Sequence, residues 1–152
     1  VYSWTYNGEK YQTELYISKS AYKNSNNPIG GTELSGYIVD DDEGTVSILA
    51  GNLKRLANQK GLSDRETVDF VVSFVQSLAY SPDKTSGHAN SYPRTPTVTL
   101  AEQTGDSKDL SILAAAVIDK MGYSSAVLSY YANNFPYARV RGVSKCECKG
   151  GN

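Results

Sequence analysis

The sequence is poor in the residues that most often carry catalysis and metal binding. It contains one histidine and two cysteines in 152 residues. A single histidine excludes metal sites built from several imidazoles. Both cysteines, Cys146 and Cys148, lie at the C-terminal end, so the body of the chain holds no thiol nucleophile. We therefore expect neither a metal ion nor a cofactor.

Neither sign of charge is in excess. Fifteen Lys and Arg stand against sixteen Asp and Glu, which gives a formal net charge of −1. Nucleic-acid-binding surfaces show a basic excess, so we predict no nucleic-acid partner. No run approaches the roughly 18–20 apolar residues of a membrane span, so we predict no transmembrane segment. The longest apolar-leaning stretch, residues 110–121, contains Asp119 and Lys120 and fits a buried helix better.

What the sequence does contain is tyrosine and small polar residues. There are twelve Tyr but three Phe and one Trp. The length suits one domain with a hydrophobic core of its own. We predict a single domain over residues 1–143, including an N-terminal hairpin over 1–18, with residues 144–152 as a tail. A surface rich in Tyr, Ser, Thr and Asn indicates an extracellular or cell-surface protein.

The N-terminal region has the pattern of a β-hairpin. Tyr2, Trp4 and Tyr6 alternate with polar residues, and Asn7-Gly8 follows them. Asn-Gly is the strongest short-range signal for a type I′ turn. A second alternating run then contains Tyr11, Thr13, Leu15 and Ile17. Further on, residues 23–36 have the composition of a loop, and residues 37–39 predict a short strand.

Two helices are expected in the next part of the chain. Asp40 to Glu43 precede an apolar stripe and would suit the positive end of a helix dipole. A calcium loop is the alternative, but its alternating ligand spacing is absent. The stripe is Leu49, Leu53 and Leu56, and the helix should end near Lys60-Gly61. Ser63 and Glu66 form a capping-box pattern for the second helix. Its apolar positions are Val68, Val71, Val72, Val75, Leu78 and Ala79.

A long polar segment separates these helices from the last ones. Residues 81–98 are rich in proline and polar residues, contain the single histidine, His88, and predict a loop. Residues 105–109 then precede an apolar helix that should end at Gly122. Ala114 to Ala116 would allow close packing, which suggests a central position. Two antiparallel strands, residues 126–131 and 137–143, are expected after it, and the whole predicts an α+β fold.

Four segments in this order resemble the transglutaminase-like superfamily, and the archaeal and bacterial transglutaminase-like cysteine peptidases in particular. They are residues 74–83, residues 92–100, residues 105–113 and residues 121–123. The resemblance spans about residues 45–143. It implies a papain/transglutaminase-like α+β fold with a nucleophile on the central helix and a base on a following strand.

The same resemblance implies that the catalytic positions have changed. Relatives carry Gly-Asp-Cys-x-Asp, whereas this chain has Gly105, Asp106, Ser107, Lys108 and Asp109. Relatives place a catalytic histidine in a His-Ala-x-Val context, where this chain has Tyr137. For the third residue, usually an aspartate further on, the chain offers only Glu147. The resemblance therefore implies a pseudoenzyme with degenerate nucleophile and base positions.

Ser107 has no obvious activating group. A serine hydroxyl needs a general base to attack near neutral pH. A phenol with a pKa near about 10 is a poor base there, and His88 lies in the upstream loop. We therefore predict that Ser107 and Asp106 act as helix caps, with Asp109 as a first-turn acid.

The tail carries the other unusual feature, Cys146-Glu147-Cys148. A bridge between these two cysteines would be strained, because the spacing supplies the required geometry poorly. Two hypotheses remain open: an intermolecular disulfide to another chain, or two free thiols. Only an oxidising compartment would allow the bridge.

Together these features predict a non-catalytic transglutaminase-like domain that serves as a structural or assembly protein outside the cell. Its partners would be further copies of itself or another envelope protein, with disulfides between subunits. One alternative is a peptidase, amidase or acyltransferase that uses Ser107 as nucleophile. Another is a peptide- or glycan-binding module that keeps the cleft without the chemistry.

Overall fold

The computed structural model describes residues 1–26, 34–38, 43–81, 93–132 and 135–143. Over these residues the chain has a mixed α+β fold with five α-helices and three two-stranded sheets. The first half contains β1 (Tyr2–Tyr6), β2 (Glu9–Thr13), α1 (Lys19–Ser25), a 3-10 turn (Leu34–Tyr37), α2 (Thr45–Gln59) and α3 (Asp64–Gln76). The second half contains β3 (Ala79–Tyr80), α4 (Pro96–Glu102), β4 (Thr104–Gly105), α5 (Ser107–Lys120), β5 (Ser124–Ala132) and β6 (Phe135–Val143).

The N-terminal hairpin is confirmed. Strands β1 and β2 are antiparallel, and Trp4 lies opposite Tyr11 in their register. The turn places Asn7 at φ 47° and Gly8 at φ 80°, the left-handed backbone that an Asn-Gly pair favours. The strand ends at Thr13, earlier than the alternation indicated. Leu15 and Ile17 follow it as partly buried residues that pack against the core.

The segment before α2 differs from the prediction. Residues 34–37 form a 3-10 turn, and Tyr37, the first residue of the strand predicted over 37–39, is instead the buried last residue of this turn. Helix α2 has no acidic residue in its first turn, and its N-cap is Gly44 at φ 69°. The Glu43 carboxylate instead accepts hydrogen bonds from the hydroxyls of Ser18 and Ser20, at 2.7 and 2.8 Å. Val39 and Asp40 to Asp42 lie outside the described residues.

The capping box of α3 is confirmed, but the end of the helix is not where the apolar pattern placed it. The Ser63 hydroxyl accepts from the Glu66 N–H at 3.2 Å, and Glu66 accepts from the Ser63 N–H at 3.1 Å. Helix α3 ends at Gln76, and Ala79 belongs to β3, which pairs in parallel with β4. The cause is the Ala79 N–H, which donates to the Gln103 carbonyl instead of continuing the helix.

Helix α5 is central, as predicted. It packs against α2, α3, β5 and β6, and it ends before Gly122, which has φ 91°. Beside it, Trp4 packs with Phe70 and Phe74 at ring distances of 5.3 and 5.2 Å. The Trp4 indole N–H has no hydrogen-bond partner in the described structure, but its ring meets Phe74 nearly edge to face. Aromatic packing therefore attaches the hairpin to α3.

The C-terminal hairpin is also confirmed. Strands β5 and β6 are antiparallel, with Ser124 opposite Val143 and Tyr130 opposite Tyr137. Both strands are longer than predicted. The Ser125 hydroxyl donates to the Ala115 carbonyl at 3.0 Å, which ties β5 to the middle of α5. Asn133 and Asn134, between the two strands, lie outside the described residues.

The end of the predicted loop over residues 81–98 is wrong, because residues 96–98 are helical. Its last residues already belong to α4, where Pro96 occupies the first turn after Thr95. Proline fits there because its fixed φ suits the helix and its missing N–H has no partner in the first turn anyway. His88 and the cysteine-containing tail lie outside the described residues. No helix in the described ranges has the length and apolar character needed to cross a membrane.

Candidate functional site

Ser107 is the first residue of α5, and Asp106 is its N-cap. The Asp106 carboxylate accepts hydrogen bonds from the N–H groups of Lys108 and Asp109, at 2.8 and 3.0 Å. The prediction of Asp106 as a cap is confirmed, and that of Ser107 as a cap is wrong. The reason is that the carboxylate one residue earlier already binds the free N–H groups of the first turn.

Asp109 closes the same capping box and is the more deeply buried of the two acids, with 1% of its surface exposed. One carboxylate oxygen accepts from the Asp106 N–H at 3.0 Å. The other accepts from the N–H of Arg94 at 2.8 Å. Its place in the first turn is confirmed. Its bond to a segment fifteen residues earlier in the chain was not foreseen.

Gly105 allows the chain to pass close to Asp109. A Cβ atom built on Gly105 would lie 2.8 Å from the Asp109 Cβ, closer than real side chains approach. The Gly105 carbonyl accepts from the Ser81 N–H at 2.9 Å. The parallel pair of β3 and β4 thereby brings residues 79–81 beside the start of α5.

Arg94 completes the surroundings of this helix end. Its side chain is 8% exposed, and its guanidinium donates to the Thr104 carbonyl at 3.0 Å and pairs with Glu102 at 3.1 Å. Glu102 in turn accepts from the Tyr22 hydroxyl at 2.9 Å. That hydrogen bond, together with burial, raises the pKa of Tyr22. No sequence pattern showed which arginine would be buried, so reasoning from sequence missed this network.

An ion pair lies directly beside Ser107. The Lys108 ammonium lies 3.4 Å from Asp106, and the side chains of this pair are 17% and 8% exposed. Ser107 itself is partly exposed. In the described part of the chain, no side chain forms a hydrogen bond with its hydroxyl. Among the described residues, the hydrogen bonds of this arrangement stabilise the first turn of α5.

The remaining predicted site residues are only partly placed. Tyr137 lies in β6, opposite Tyr130 in the register. Side chains from Leu128 onward lie outside what the structure describes, as do Cys146, Glu147 and Cys148. Within the described ranges, no group of three His, Cys, Asp or Glu side chains is arranged to hold a metal ion.

Comparison with known proteins gives no assignment. No family model matches the chain, and neither a curated protein nor a solved structure matches it. A function for this chain must therefore be argued from its own residues and geometry.

Proposed function

We propose that this chain is a non-catalytic domain of the transglutaminase-like type, and that it acts as a structural or assembly module outside the cell. The order of its elements supports this proposal. A buried helix begins at the Gly-Asp-Ser-x-Asp motif and is followed by two antiparallel strands that pack on it. That order agrees with the papain-like arrangement implied by the sequence resemblance.

One observation carries the non-catalytic assignment. Three residues of the motif have structural roles, whereas Ser107 has none in the part of the chain that the structure describes. Gly105 permits the close approach, Asp106 caps the helix, and Asp109 binds the Arg94 backbone. None of these three structural roles requires catalytic activity. Ser107 is the position at which relatives carry the nucleophile. It has a weaker nucleophile here and no base bonded to it among the described residues.

Exposed aromatic and apolar side chains support an assembly role. Tyr16 is 87% exposed, Tyr80 is 66% exposed and Ile48 is 52% exposed. Tyrosine offers a large contact area with a polar end and is enriched at protein interfaces. The cysteine pair of the tail would add covalent links between subunits in an oxidising compartment.

The non-catalytic assignment is tested with a fluorophosphonate probe that labels activated serines. We expect no labelling of the folded protein above that of Ser107→Ala, and the same thermal stability for both proteins. Stoichiometric labelling that disappears in Ser107→Ala would instead establish a hydrolase or acyltransferase with Ser107 as nucleophile.

The assembly role is tested separately, by electrophoresis with and without reductant and by gel filtration. We expect oligomer bands without reductant that are lost in the Cys146→Ser/Cys148→Ser variant. A single monomer band in both lanes, with a monomeric elution volume, would rule out assembly of this chain with itself.

A further inference from the structure

The exposed face of α2 carries an open groove far from Ser107. The groove has a volume of about 520 Å³ and is lined by Gly51, Lys54, Arg55, Asn58 and Gln59. A second hollow of about 340 Å³ shares Arg55 and extends to the end of β2, where Gln12, Thr13, Glu14 and Asn52 line it. The two hollows therefore form one surface along α2.

Gly51 is the unusual residue of this groove. It lies inside a 15-residue helix, where glycine is less favourable than alanine. It is exposed, and a Cβ atom built on it would have no neighbour within 4 Å. Neither close packing nor a positive φ therefore requires glycine there. Because glycine has no side chain, the helix backbone is exposed at the bottom of the groove, which we call its floor. A side chain at this position would cover it.

The groove is positively charged on one side. The Lys54 ammonium donates to the Met121 carbonyl at 3.3 Å, at the C-terminal end of α5, where a cation is favourable. Arg55 is exposed, and within the described ranges it has no ion pair or hydrogen bond. Its guanidinium is a planar donor that suits a carboxylate. Glu14 lines the second hollow together with Arg55, and its carboxylate would repel an acidic group there, so an acidic group is favoured over the α2 groove itself, which has no acidic residue among its described lining residues.

We propose that this groove binds an acidic peptide segment of a partner protein. Carboxylates of the peptide pair with Arg55 and Lys54, and its backbone amides exchange hydrogen bonds with the side-chain amides of Asn58 and Gln59. None of the described lining residues is aromatic, so the groove lacks the flat apolar faces on which sugar rings stack. A peptide therefore fits its chemistry better than a glycan.

The proposal goes beyond the assembly role and does not depend on it. Met121 follows the last residue of α5, and Ser107 is the first. At about 1.5 Å per residue, the groove end of α5 lies roughly 20 Å from Ser107. Labelling of Ser107 and binding in the groove can therefore succeed or fail separately.

The test is fluorescence anisotropy with a labelled peptide of alternating Glu and Ser. A peptide with Gln in place of each Glu is the uncharged probe, and an unlabelled oligogalacturonate is the competing acidic glycan. The variants are Arg55→Gln, which removes the exposed cation, and Gly51→Gln, which covers the floor with a helix-forming residue. Arg65→Gln is the matched control, because it removes one exposed cation from α3 and changes the net charge equally.

We expect the Glu peptide to bind the wild-type protein and Arg65→Gln equally well. Loss of one charge-assisted contact should weaken binding about tenfold in Arg55→Gln, and Gly51→Gln should weaken it at least as much. Gly51→Ala should raise the melting temperature by about 2–4 °C, which would show that glycine is not kept for stability.

Four results with the peptides and variants would overturn the proposal, and a fifth comes from the competing glycan. The four are equal binding of the Gln peptide, no binding of the Glu peptide up to about 1 mM, equal weakening in Arg55→Gln and Arg65→Gln, and undiminished binding in Gly51→Gln. Displacement of the peptide by a lower concentration of oligogalacturonate than of unlabelled peptide would likewise show that the groove recognises an acidic glycan instead.

Discussion

The carboxylate of Asp109 accepts a hydrogen bond from the backbone N–H of Arg94 at 2.8 Å. This bond joins the first turn of the central helix to the segment that leads into α4. The Arg94 side chain continues the connection through Glu102 to Tyr22 in α1. Asp109, Arg94 and Glu102 thereby connect α5 and α4 with α1, which lies about 70 residues earlier in the chain.

Asp109→Asn should destabilise the protein by about 1–3 kcal/mol. The Asp109 carboxylate accepts from two backbone N–H groups, and the asparagine side chain would turn its own NH2 group toward one of them, which leaves that hydrogen bond unmade. Urea unfolding measures the loss, and hydrogen exchange should show reduced protection of the Arg94 amide. Asp119→Asn is the control: it changes an exposed carboxylate on the same helix and should shift stability by no more than about 0.5 kcal/mol. Equal effects of the two substitutions would contradict the role assigned to Asp109.

Tyr2 should make stability fall at alkaline pH. Its hydroxyl donates to the Leu100 carbonyl at 2.7 Å, and burial raises the pKa of Tyr2 from 10.0 to about 12. Well below pH 10 the phenol is neutral in both the folded and the unfolded protein. Between pH 10 and about 12 the unfolded chain loses this proton first, so the free energy of unfolding falls as pH rises.

The test for Tyr2 compares urea midpoints from pH 8 to 11 in wild type and Tyr2→Phe. The variant should lose about 1 kcal/mol near neutral pH, from the missing hydrogen bond, and should show a shallower alkaline decline. Some decline should remain, because the pKa values of Tyr6, Tyr11, Tyr22 and Tyr123 are also raised. Tyr16→Phe, at an exposed position, should leave the stability near neutral pH unchanged.

Phe70 should be essential for docking the N-terminal hairpin. Its ring lies 5.3 Å from Trp4, 5.4 Å from Tyr6 and 4.9 Å from Tyr11. Phe70→Ala should cost about 3–5 kcal/mol and shift the emission of Trp4, the single tryptophan, toward longer wavelength. Phe70→Leu should also lower the stability and shift the Trp4 emission toward longer wavelength, but each by a smaller amount. Ile48→Ala, on the exposed face of α2, is the apolar control, and an equal loss there would contradict the prediction.

Local patterns predicted much of the fold because their physical causes are local. Asn7-Gly8 requires left-handed backbone, Ser63 and Glu66 satisfy each other's N–H groups, and Gly122 ends α5. The errors occur where a distant partner decides the conformation. Ala79 continued an apolar helical pattern, yet its N–H donates to Gln103, which no local pattern could indicate.

In the candidate site, too, the local features were predicted and the tertiary contacts were not. The motif located the start of α5 and identified Asp106 as a cap, because helix-capping chemistry is local. It did not reveal the bond from Arg94 to Asp109, since that bond depends on tertiary packing. The groove on α2 was also not predicted from the sequence. Its one sequence signal was Gly51, a glycine within an otherwise regular helical pattern.

The transglutaminase-like arrangement makes a direct prediction about residues 107 and 137. If the chain has that arrangement, a cysteine at position 107 and a histidine at position 137 will lie within reach of each other. The imidazolium would then stabilise the thiolate and lower the pKa of the thiol from its usual value near about 8.5.

We expect Ser107→Cys/Tyr137→His, in a background with Cys146→Ser and Cys148→Ser, to react with iodoacetamide at pH 6 at least about tenfold faster than Ser107→Cys alone. The control is Ser107→Cys/Tyr131→His, which adds the histidine to β5 opposite Pro136 rather than at the position the resemblance assigns to the base. Equal alkylation rates in both double variants would contradict the placement of residue 137 beside the helix, and with it the resemblance on which the placement rests. A selective increase would show that the chain can place a thiol and an imidazole within reach of each other at two positions where it carries neither group.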